Sequence, residues 1–267
     1  WKDSFHRWFL CMVAHWQGVD KNHANSTSPL LIGAQGYRKS TFCRSLVPPQ
    51  LRAYYTDSID FSRKRDAELF LNRFALINID EFDQISTAQQ GFLKHILQKP
   101  VVNLRKPNQS SVEELRRYAS FIGTSNHQDL LTDTSGSRRF ICIKVTAPIE
   151  IMYPIDYNQL YAQAVHEIEK GERYWFSLEE EQQMAAKNNE FEQVSTSEQL
   201  FLQYFRAPQA GEAGEHLLAA EIYGRLQKRS SFKLSPTKMM HFGRILSKLG
   251  IPSKRMSSGY CYHVVEC

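Results

Sequence analysis

The feature that most constrains the fold is a segment with glycines and a lysine that stands between an apolar run and a predicted helix. Residues 30–46 read LLIGAQGYRKSTFCRSL. The residues that match the spacing of a phosphate-binding loop are Gly33, Lys39 and Ser40, and Gly36 is a further glycine within the loop. Such a loop forms where a buried strand turns directly into a helix, and it points backbone amides and the lysine at phosphate groups. The segment therefore predicts an α/β fold with a parallel, helix-covered sheet.

One position departs from the usual pattern, because Arg38 stands where such loops carry a glycine. A side chain forced into the left-handed backbone conformation costs about 1–2 kcal/mol. We therefore expect nucleotide binding to survive and turnover to be slow. The Arg38 side chain is itself a candidate contact to phosphate or to a neighbouring subunit. Thr41 adds a second hydroxyl at the start of the helix.

Polar side chains follow two later apolar runs. Asp80 and Glu81 end the run FALINIDEFD, and Asn126 ends ASFIGTSN. In parallel sheets the ligand lies at the carboxyl ends of the strands. Asp80 is the predicted Mg²⁺ ligand together with Ser40, and Glu81 is predicted to polarise the attacking water. Asn126 is predicted to orient that water or to contact the terminal phosphate. The predicted cofactors are ATP and Mg²⁺.

Two arginines precede a further apolar run, in the sequence GSRRF. Arg138 or Arg139 is predicted to neutralise charge on the terminal phosphate from a subunit boundary, as arginine fingers do. The sequence does not choose between the two, and one of them can instead be a surface ion-pair residue. The chain has no N-K-x-D guanine signature. This absence favours ATP hydrolysis over GTP hydrolysis.

The spacing of apolar residues predicts the other elements of the fold. Strands are predicted over 29–33, 74–83, 119–126 and 139–145. Helices are predicted over 1–16, 39–46, 66–73 with Asp66 as cap, 86–98 with Ser86 as cap, 111–118 and 157–170.

The composition is that of an ordinary globular protein. Of the 267 residues, 42% are hydrophobic and 23% are charged, which is enough for a full core. The five cysteines include no C-x-x-C pair, so we expect neither a disulfide framework nor a zinc site. No apolar run approaches the about 18 residues that a membrane span needs. We expect a cytoplasmic protein without a membrane partner, and, because the chain opens at Trp1 inside a predicted helix, a part of a longer protein.

The C-terminal region is basic. Residues 222–265 contain nine Lys or Arg and no Asp or Glu. Two predicted helices, the second opening at Ser235 and Pro236, and a hairpin signal around Ser258 and Gly259 follow one another in the order of a winged helix. The candidate nucleic-acid contacts are Lys238, Arg244 and Lys248 on the second helix, with Lys254 and Arg255 on the wing. A merely solvated basic face and a protein-interaction module are the alternatives.

Several motifs in order resemble the virulence-associated protein E family. They are GAQGYRKST, NIDEFD, FLKHIL, LRKP, RRYASFIGTSN and LLTDTSGSRRF. That family comprises P-loop ATPases similar to AAA+ proteins, to superfamily 3 helicases and to phage or plasmid primase-helicases, and the pattern is closest to Bacteroides mobile-element proteins. The resemblance covers about residues 1–145. It implies the site roles given above, a homo-oligomeric ring (above all a hexamer) with ATP between subunits, and a primase-like region in the full-length protein.

The resemblance also points to a nucleic-acid surface between residues 94 and 117, where superfamily 3 helicases place a pore-facing hairpin. The candidate contacts there are Lys94, Arg105 and Lys106, and the same stretch contains Lys99, Arg116 and Arg117. Such contacts are independent of sequence and sensitive to salt. The alternative is that Arg116 or Arg117 serves the nucleotide site of a neighbouring subunit.

Together these patterns predict a P-loop ATPase core with an N-terminal helix over 1–150, a helical linker over 151–195 and a winged-helix-like basic domain over 196–267. The predicted function is an ATP-hydrolysing DNA helicase or translocase of mobile-element replication. Two alternatives stay open: a nucleotide-binding switch with weak hydrolysis, and a DNA-binding regulator that uses the ATPase core as a scaffold. The intact pair of Asp80 and Glu81 favours hydrolysis.

Overall fold

The chain forms two compact units, residues 1–193 and 194–267, in the computed structural model. The structure describes residues 1–19, 23–104, 111–132, 134–209, 211–230, 236–257 and 259–267, with only the backbone at 104, 134–136 and 236–241. Residues 151–193, predicted as a helical linker, belong to the first unit.

A five-stranded sheet forms the centre of the first unit. The strands of this unit are β1 (Ser28–Ile32), β2 (Tyr55–Thr56), β3 (Leu76–Ile79), β4 (Val101–Leu104), β5 (Glu113–Arg116), β6 (Ser120–Ser125) and β7 (Phe140–Lys144). The order across the sheet is β2-β3-β6-β1-β7, and every neighbouring pair is parallel. The predicted mixed α/β fold with a parallel central sheet is therefore confirmed.

Helices cover both faces of this sheet. They are α1 (Lys2–Gln17), α2 (Lys39–Ser45), α3 (Lys64–Arg73), α4 (Thr87–Leu97), α5 (Tyr157–Glu169) and α6 (Leu178–Lys187), with short 3₁₀ turns at Pro49–Tyr54, Phe82–Gln84, Thr134–Arg139 and Asn188–Phe191. Successive side chains of a strand point to opposite faces. Accordingly, Leu30 and Ile32 lie in one core with α3 and α4, and Leu31 lies in the other core with α1.

The helix caps test the predicted boundaries. Ser86 caps α4 as predicted, since its hydroxyl accepts from Gln89 N and its own N–H donates to Gln89 Oε1 at 2.8 Å. The prediction for Asp66 is wrong by three positions. Arg63 is the N-cap residue of α3, and Asp66 lies in the first helical turn, where the helix dipole favours a carboxylate.

Residues 111–118 do not form the predicted helix. Residues 113–116 form β5, which pairs antiparallel with β4 and places Val102 opposite Leu115. Both of these side chains are buried in the core. The helix propensity of Glu, Leu and Arg is a weak preference, and the buried cross-strand pair outweighs it.

Arg117 is one of the largest fully buried side chains among the described residues. Its guanidinium donates to Leu97 O at 2.8 Å and Lys99 O at 2.7 Å, which are carbonyls at the end of α4. It also donates to Ala119 O at 2.8 Å and Asn25 O at 3.2 Å. Burial lowers the pKa of Arg117 to about 10, so the group stays charged at neutral pH. Arg117 therefore satisfies the free carbonyls that end a helix.

Arg116 has a similar internal role. Its Nη2 donates to His15 O at 2.8 Å and Trp16 O at 2.9 Å, at the end of α1. Both arginines thus bind main-chain carbonyls of their own chain. Arg117 is fully buried and Arg116 is half-buried, and a contact of either one with nucleic acid or with a neighbour's nucleotide stays a prediction.

The second unit has three helices and a small antiparallel sheet. Its elements are α7 (Thr196–Tyr204), β8 (Phe205–Arg206), β9 (Glu215–Leu218), α8 (Ala219–Arg229), α9 (Pro236–Lys248), β10 (Ser253–Met256) and β11 (Gly259–Glu266). β11 pairs with β8, β9 and β10. The predicted hairpin is present, and α9 begins at Pro236 as predicted, whereas the proposed cap Ser235 lies outside the described residues. The helices pack on a core that includes Phe201, Phe242 and Leu246.

Candidate functional site

The loop with glycines and lysine joins β1 to α2 at the carboxyl edge of the sheet. Lys39 is the first residue of α2, and its side chain is buried. Its ammonium Nζ donates to Gly33 O at 2.7 Å, Ala34 O at 2.9 Å and Asn126 Oδ1 at 2.9 Å. The loop therefore folds around the lysine, whose charge is held by three oxygen atoms of the chain.

The strand register explains why Asn126 is close to the loop. β1 pairs with β6 so that Ile32 lies opposite Ser125. The residues that follow these two, Gly33 and Asn126, consequently leave the sheet at the same level. The structure thus brings together the loop and the predicted amide, which are separated by about 90 residues of sequence.

Strand register also explains why Asp80 is close to the loop. β3 pairs with β6 so that Ile79 lies opposite Gly123, which places Asp80 beside Thr124. The Thr124 hydroxyl donates to Asp80 Oδ1. The Ser40 hydroxyl donates to the same Oδ1 at 2.8 Å. One carboxylate oxygen therefore faces two hydroxyl groups, one from α2 and one from β6.

Three further residues of the site, Thr124, Ser125 and Asp83, stand outside the predicted set. Ser125 Oγ donates to Asp83 Oδ1 at 2.7 Å and so orients a second carboxylate near the site. Burial lowers the pKa of Lys39, and the nearby charges of Asp80 and Asp83 oppose that shift. The sequence signal that could have found these residues is that polar residues end a buried strand. Their hydrogen-bond partners depend on the register of strand pairing, which the sequence does not show.

Two glycines of the loop have distinct structural reasons. A Cβ on Gly33 would lie 2.4 Å from Val145 O, a main-chain atom, so that only glycine fits there. Gly36 has open space around it, but its φ of +82° is in the left-handed region that favours glycine. The predicted importance of both positions thus has a physical cause in the backbone.

Backbone strain is concentrated at the same place. Within the described residues, the non-glycine residues with positive φ are Arg38 at 60° and Glu81 at 52°. Left-handed geometry is unfavourable for both, and strained residues cluster at functional sites. Arg38 lies at the N-cap of α2, and Glu81 immediately follows Asp80. The position at which the sequence departs from the usual glycine therefore keeps the glycine-like conformation.

A cleft of about 370 Å³ opens over the loop. The predicted residues that line it are Gly36, Arg38, Lys39, Ser40, Thr41, Asp80, Glu81 and Asn126. Glu81 is exposed in this cleft. Among the described residues, no three His, Cys, Asp or Glu side chains come together as a metal-binding group.

The two candidate arginines lie elsewhere. They are in the 3₁₀ turn before β7, and neither lines the cleft of its own chain. Arg138 Nη1 lies 3.1 Å from Glu181 Oε2, and Arg139 is half-buried. The role of an arginine that reaches a neighbouring subunit therefore stays a prediction.

The predicted nucleic-acid residues of the first unit differ in whether and where the structure describes them. Lys94 lies in α4 and is only 9% exposed, and its predicted contact with nucleic acid stays a prediction. The side chain is on the face of α4 that packs against the unit. Arg105 and Lys106 lie outside the described residues. Lys99 Nζ pairs with Glu68 Oε1 at 2.5 Å.

In the second unit, Lys254 and Arg255 are exposed on β10, and Arg244 is exposed on α9. Lys248 Nζ lies 4.0 Å from Glu198 Oε1. The side chain of Lys238 lies outside what the structure describes. Part of the basic charge of this unit is balanced internally, since Arg225 and Arg229 form ion pairs with Glu215 and Glu266.

The family model of the virulence-associated protein E-like domain matches residues 2–193. The chain belongs to this family. The resemblance in the motifs is thereby confirmed for the virulence-associated protein E-like unit. A second family model, a domain of unknown function from a B. Theta gene description, matches residues 194–264. The two matches meet where the two compact units meet.

No curated protein matches this virulence-associated protein E-like chain. Similar solved structures include an apo structure of the C-terminal region of NrS-1, at 11% identity and a TM-score of 0.44, with 99% of this chain and 71% of that chain covered. Two A-form apo structures of the same region have 11% and 12% identity and TM-scores of 0.42, with 99% of this chain and 70% and 72% of those chains covered. In the described part of the chain, no helix is both long and apolar enough to cross a membrane.

Proposed function

We propose that the first unit binds ATP together with Mg²⁺ and hydrolyses the nucleotide. The observation that carries this proposal is the hydrogen bond of 2.8 Å between Ser40 Oγ and Asp80 Oδ1 beside the buried Lys39 ammonium. A hydroxyl from the first turn of a helix and a carboxylate that follows another strand of the same sheet are the arrangement that phosphate-loop ATPases use for magnesium. Lys39 and Ser40 both line the cleft, so that charge and hydroxyl are available to the same ligand.

The chemistry of the donors fits these cofactors. Ser40 and Asp80 supply hard oxygen atoms, and Mg²⁺ is commonly held by one or two such protein ligands together with phosphate oxygens and water. Bound Mg²⁺ supplies Lewis-acid stabilisation of the charge on the phosphate oxygens. Gly36 adopts the left-handed φ of +82° that favours glycine, which sets the course of the loop. These residues accommodate an anionic ligand in the cleft.

The residues of the chain then have separate tasks. Lys39 exchanges main-chain carbonyl oxygens for phosphate oxygens as its acceptors. Glu81, exposed beside Asp80, accepts a proton from the attacking water. Asn126 orients that water with its amide. Arg138 or Arg139 from a neighbouring subunit stabilises charge on the transferred phosphoryl group.

The proposed role of this ATPase is in DNA replication of a mobile element, as a helicase or translocase that works as a homo-oligomeric ring. Family membership and the resemblance carried by the motifs support this role. The second unit is proposed as a winged-helix-like module for nucleic acid. Its helices α8 and α9, followed by the β10–β11 hairpin, and the exposed Lys254 and Arg255 support that assignment.

A nucleotide-binding switch with weak hydrolysis is the second candidate function. The observation that favours it is the left-handed backbone of Arg38, at φ 60°. A strained loop that binds nucleotide and turns it over slowly suits a switch better than a motor. Hydrolysis rates with and without single-stranded DNA separate the two candidates.

Binding of ATP and Mg²⁺ to the purified full chain tests the assignment of the site. Lys39→Ala removes the buried ammonium, and we expect the affinity for ATP to fall at least tenfold, since a charge-assisted hydrogen bond contributes about 1.5–3 kcal/mol. Lys187→Ala, which removes an exposed lysine at the end of α6, is the matched control and should bind normally. Unchanged ATP affinity in Lys39→Ala would show that nucleotide does not bind in this cleft.

A further inference from the structure

A second concave surface lies between α3 and α4, apart from the nucleotide cleft. It is an open groove of about 780 Å³, and its lining includes Lys64, Arg65, Glu68, Gly91, Phe92 and His95. The last three follow the i, i+1, i+4 spacing of one helical face. The exposed face of α4 therefore forms one wall of the groove, and the first two turns of α3 form the other.

The charge of this groove is positive. Lys64 and Arg65 are exposed in the first turn of α3. Cations are unfavourable there, because the helix dipole places partial positive charge at the N-terminus. The acidic Glu68 is neutralised by Lys99 at 2.5 Å, and its side chain is only 14% exposed. The groove thus presents two cations at a position that helix stability alone disfavours.

Gly91 is a second unfavourable choice in the same groove. It lies inside α4, where glycine is a poorer helix former than alanine. Its φ is not positive, and a Cβ at this position would meet nothing within 4 Å. Neither the backbone nor the packing therefore requires glycine. Its effect is to keep the floor of the groove open, and residues that break local rules in this way are expected at functional sites.

Phe92 places an aromatic ring beside these cations. Lys64 Nζ lies 5.6 Å from the centroid of the Phe92 ring, and Phe61 packs edge-on against that ring with centroids 6.5 Å apart. A cation next to an aromatic ring matches a single-stranded nucleic acid, whose phosphates bind cations while its bases stack on rings. An acidic protein segment would use the cations but not the ring.

We propose that this groove binds single-stranded nucleic acid, with phosphates at Lys64 and Arg65 and a base on Phe92. The choice of nucleic acid as partner rests on the proposed function. The groove is connected to the nucleotide cleft by a short path, since α4 begins at Thr87 soon after Asp80 and the 3₁₀ turn at Phe82–Gln84. A bound strand can therefore influence the carboxylates of the cleft through one turn of chain.

The test is binding of a fluorescein-labelled oligothymidylate to the full chain, followed by anisotropy at several salt concentrations without nucleotide. Lys64→Ala/Arg65→Ala removes two phosphate contacts, which should lower the salt slope by about 1.4 and the affinity about 20-fold at 0.1 M salt. The control Lys170→Ala/Lys187→Ala removes the same charge from exposed positions at the ends of α5 and α6 and should leave the slope nearly unchanged.

Gly91→Gln separates the loss of binding from damage to the fold. The better helix former should raise the melting temperature of the unit by about 1–3 °C. The longer side chain fills the floor of the groove and blocks the stacked base, so binding should weaken about fivefold or more. A variant that is more stable and binds less is hard to explain by misfolding.

Three results would overturn the proposal. The first is normal oligothymidylate binding by Gly91→Gln and by the Lys64/Arg65 double variant, which leaves the proposed ATPase untouched. The second is tighter binding of polyglutamate than of oligothymidylate, lost in the same variants, which would assign the groove to an acidic protein. The third is absence of oligothymidylate binding by the unaltered chain, which also refutes the proposed action on DNA. ATP turnover measured on the same samples shows whether the proposal of ATP hydrolysis still holds.

Discussion

Replacement of Arg38 measures how much strain the loop carries. Arg38 has φ 60° and ψ 25°, which is left-handed geometry. Arg38→Ala removes the guanidinium but keeps a Cβ, and Arg38→Gly removes both. The left-handed conformation costs a residue with a Cβ about 1–2 kcal/mol. Glycine avoids this cost. However, glycine also makes the unfolded chain more flexible, which lowers the free energy of unfolding by about 0.4–1 kcal/mol.

The difference between the two variants is therefore about 1 kcal/mol in the free energy of unfolding, with Arg38→Gly the more stable. For a unit of this size the melting temperature should differ by about 2–4 °C. All four tryptophans lie in residues 1–193, so tryptophan fluorescence during urea or thermal unfolding follows this unit. The reasoning is refuted if Arg38→Ala proves as stable as Arg38→Gly or more stable.

The same pair of variants shows what the Arg38 side chain does for the nucleotide. If the guanidinium contacts phosphate, both variants lose ATP affinity to the same extent. If only the backbone matters, Arg38→Gly binds and hydrolyses ATP at least as well as the natural chain. Titration of ATP and a steady-state phosphate-release assay distinguish these outcomes.

Three further predictions concern stability, pH and the second unit. Arg117→Met leaves buried carbonyls without donors and should lower the free energy of unfolding by about 3–5 kcal/mol. Urea titration measures this change, and a loss below about 1 kcal/mol would contradict the role of Arg117. The protonated form of Lys39 binds phosphate, and burial lowers the pKa of this group. ATP affinity should therefore fall as the pH rises through that lowered pKa, at a lower pH than for an ordinary lysine. Calorimetry in two buffers should show proton uptake on ATP binding at alkaline pH, and absence of this uptake would count against the assignment of Lys39. Lys254→Ala/Arg255→Ala should lower the salt slope of duplex DNA binding by about 1.8, and an unchanged slope would remove the wing from the nucleic-acid surface.

Local sequence signals were sufficient to predict the strands and the helix start that define the site. β1, β3, β6 and β7 are apolar runs that end in glycine or polar residues, and such runs are recognisable because both faces of the strands are covered. The start of α4 was predictable from the Ser86 capping box, which is complete within four consecutive residues. The order of motifs along the chain was sufficient to predict the family.

Contacts that depend on strand pairing were not predictable. Thr124 meets Asp80 only because Ile79 pairs with Gly123, and a shift of one residue would turn these side chains to the other face. β5 was mistaken for a helix because its partner β4 decides its conformation. The burial of Lys94 depends on which face of α4 packs inward, and a single lysine among apolar neighbours does not reveal that. In each case the missing information is a distant segment of the chain.

The central claim, that the cleft hydrolyses ATP and that DNA is its partner, is tested most directly by one measurement. Steady-state ATP turnover of the full chain is recorded with and without single-stranded DNA, alongside Glu81→Gln, which keeps the size of the side chain but cannot accept the proton of water. The account predicts turnover that DNA stimulates, a loss of about 100-fold or more in Glu81→Gln, and retained ATP binding in that variant. ATP binding without turnover under either condition, or full activity in Glu81→Gln, would contradict it.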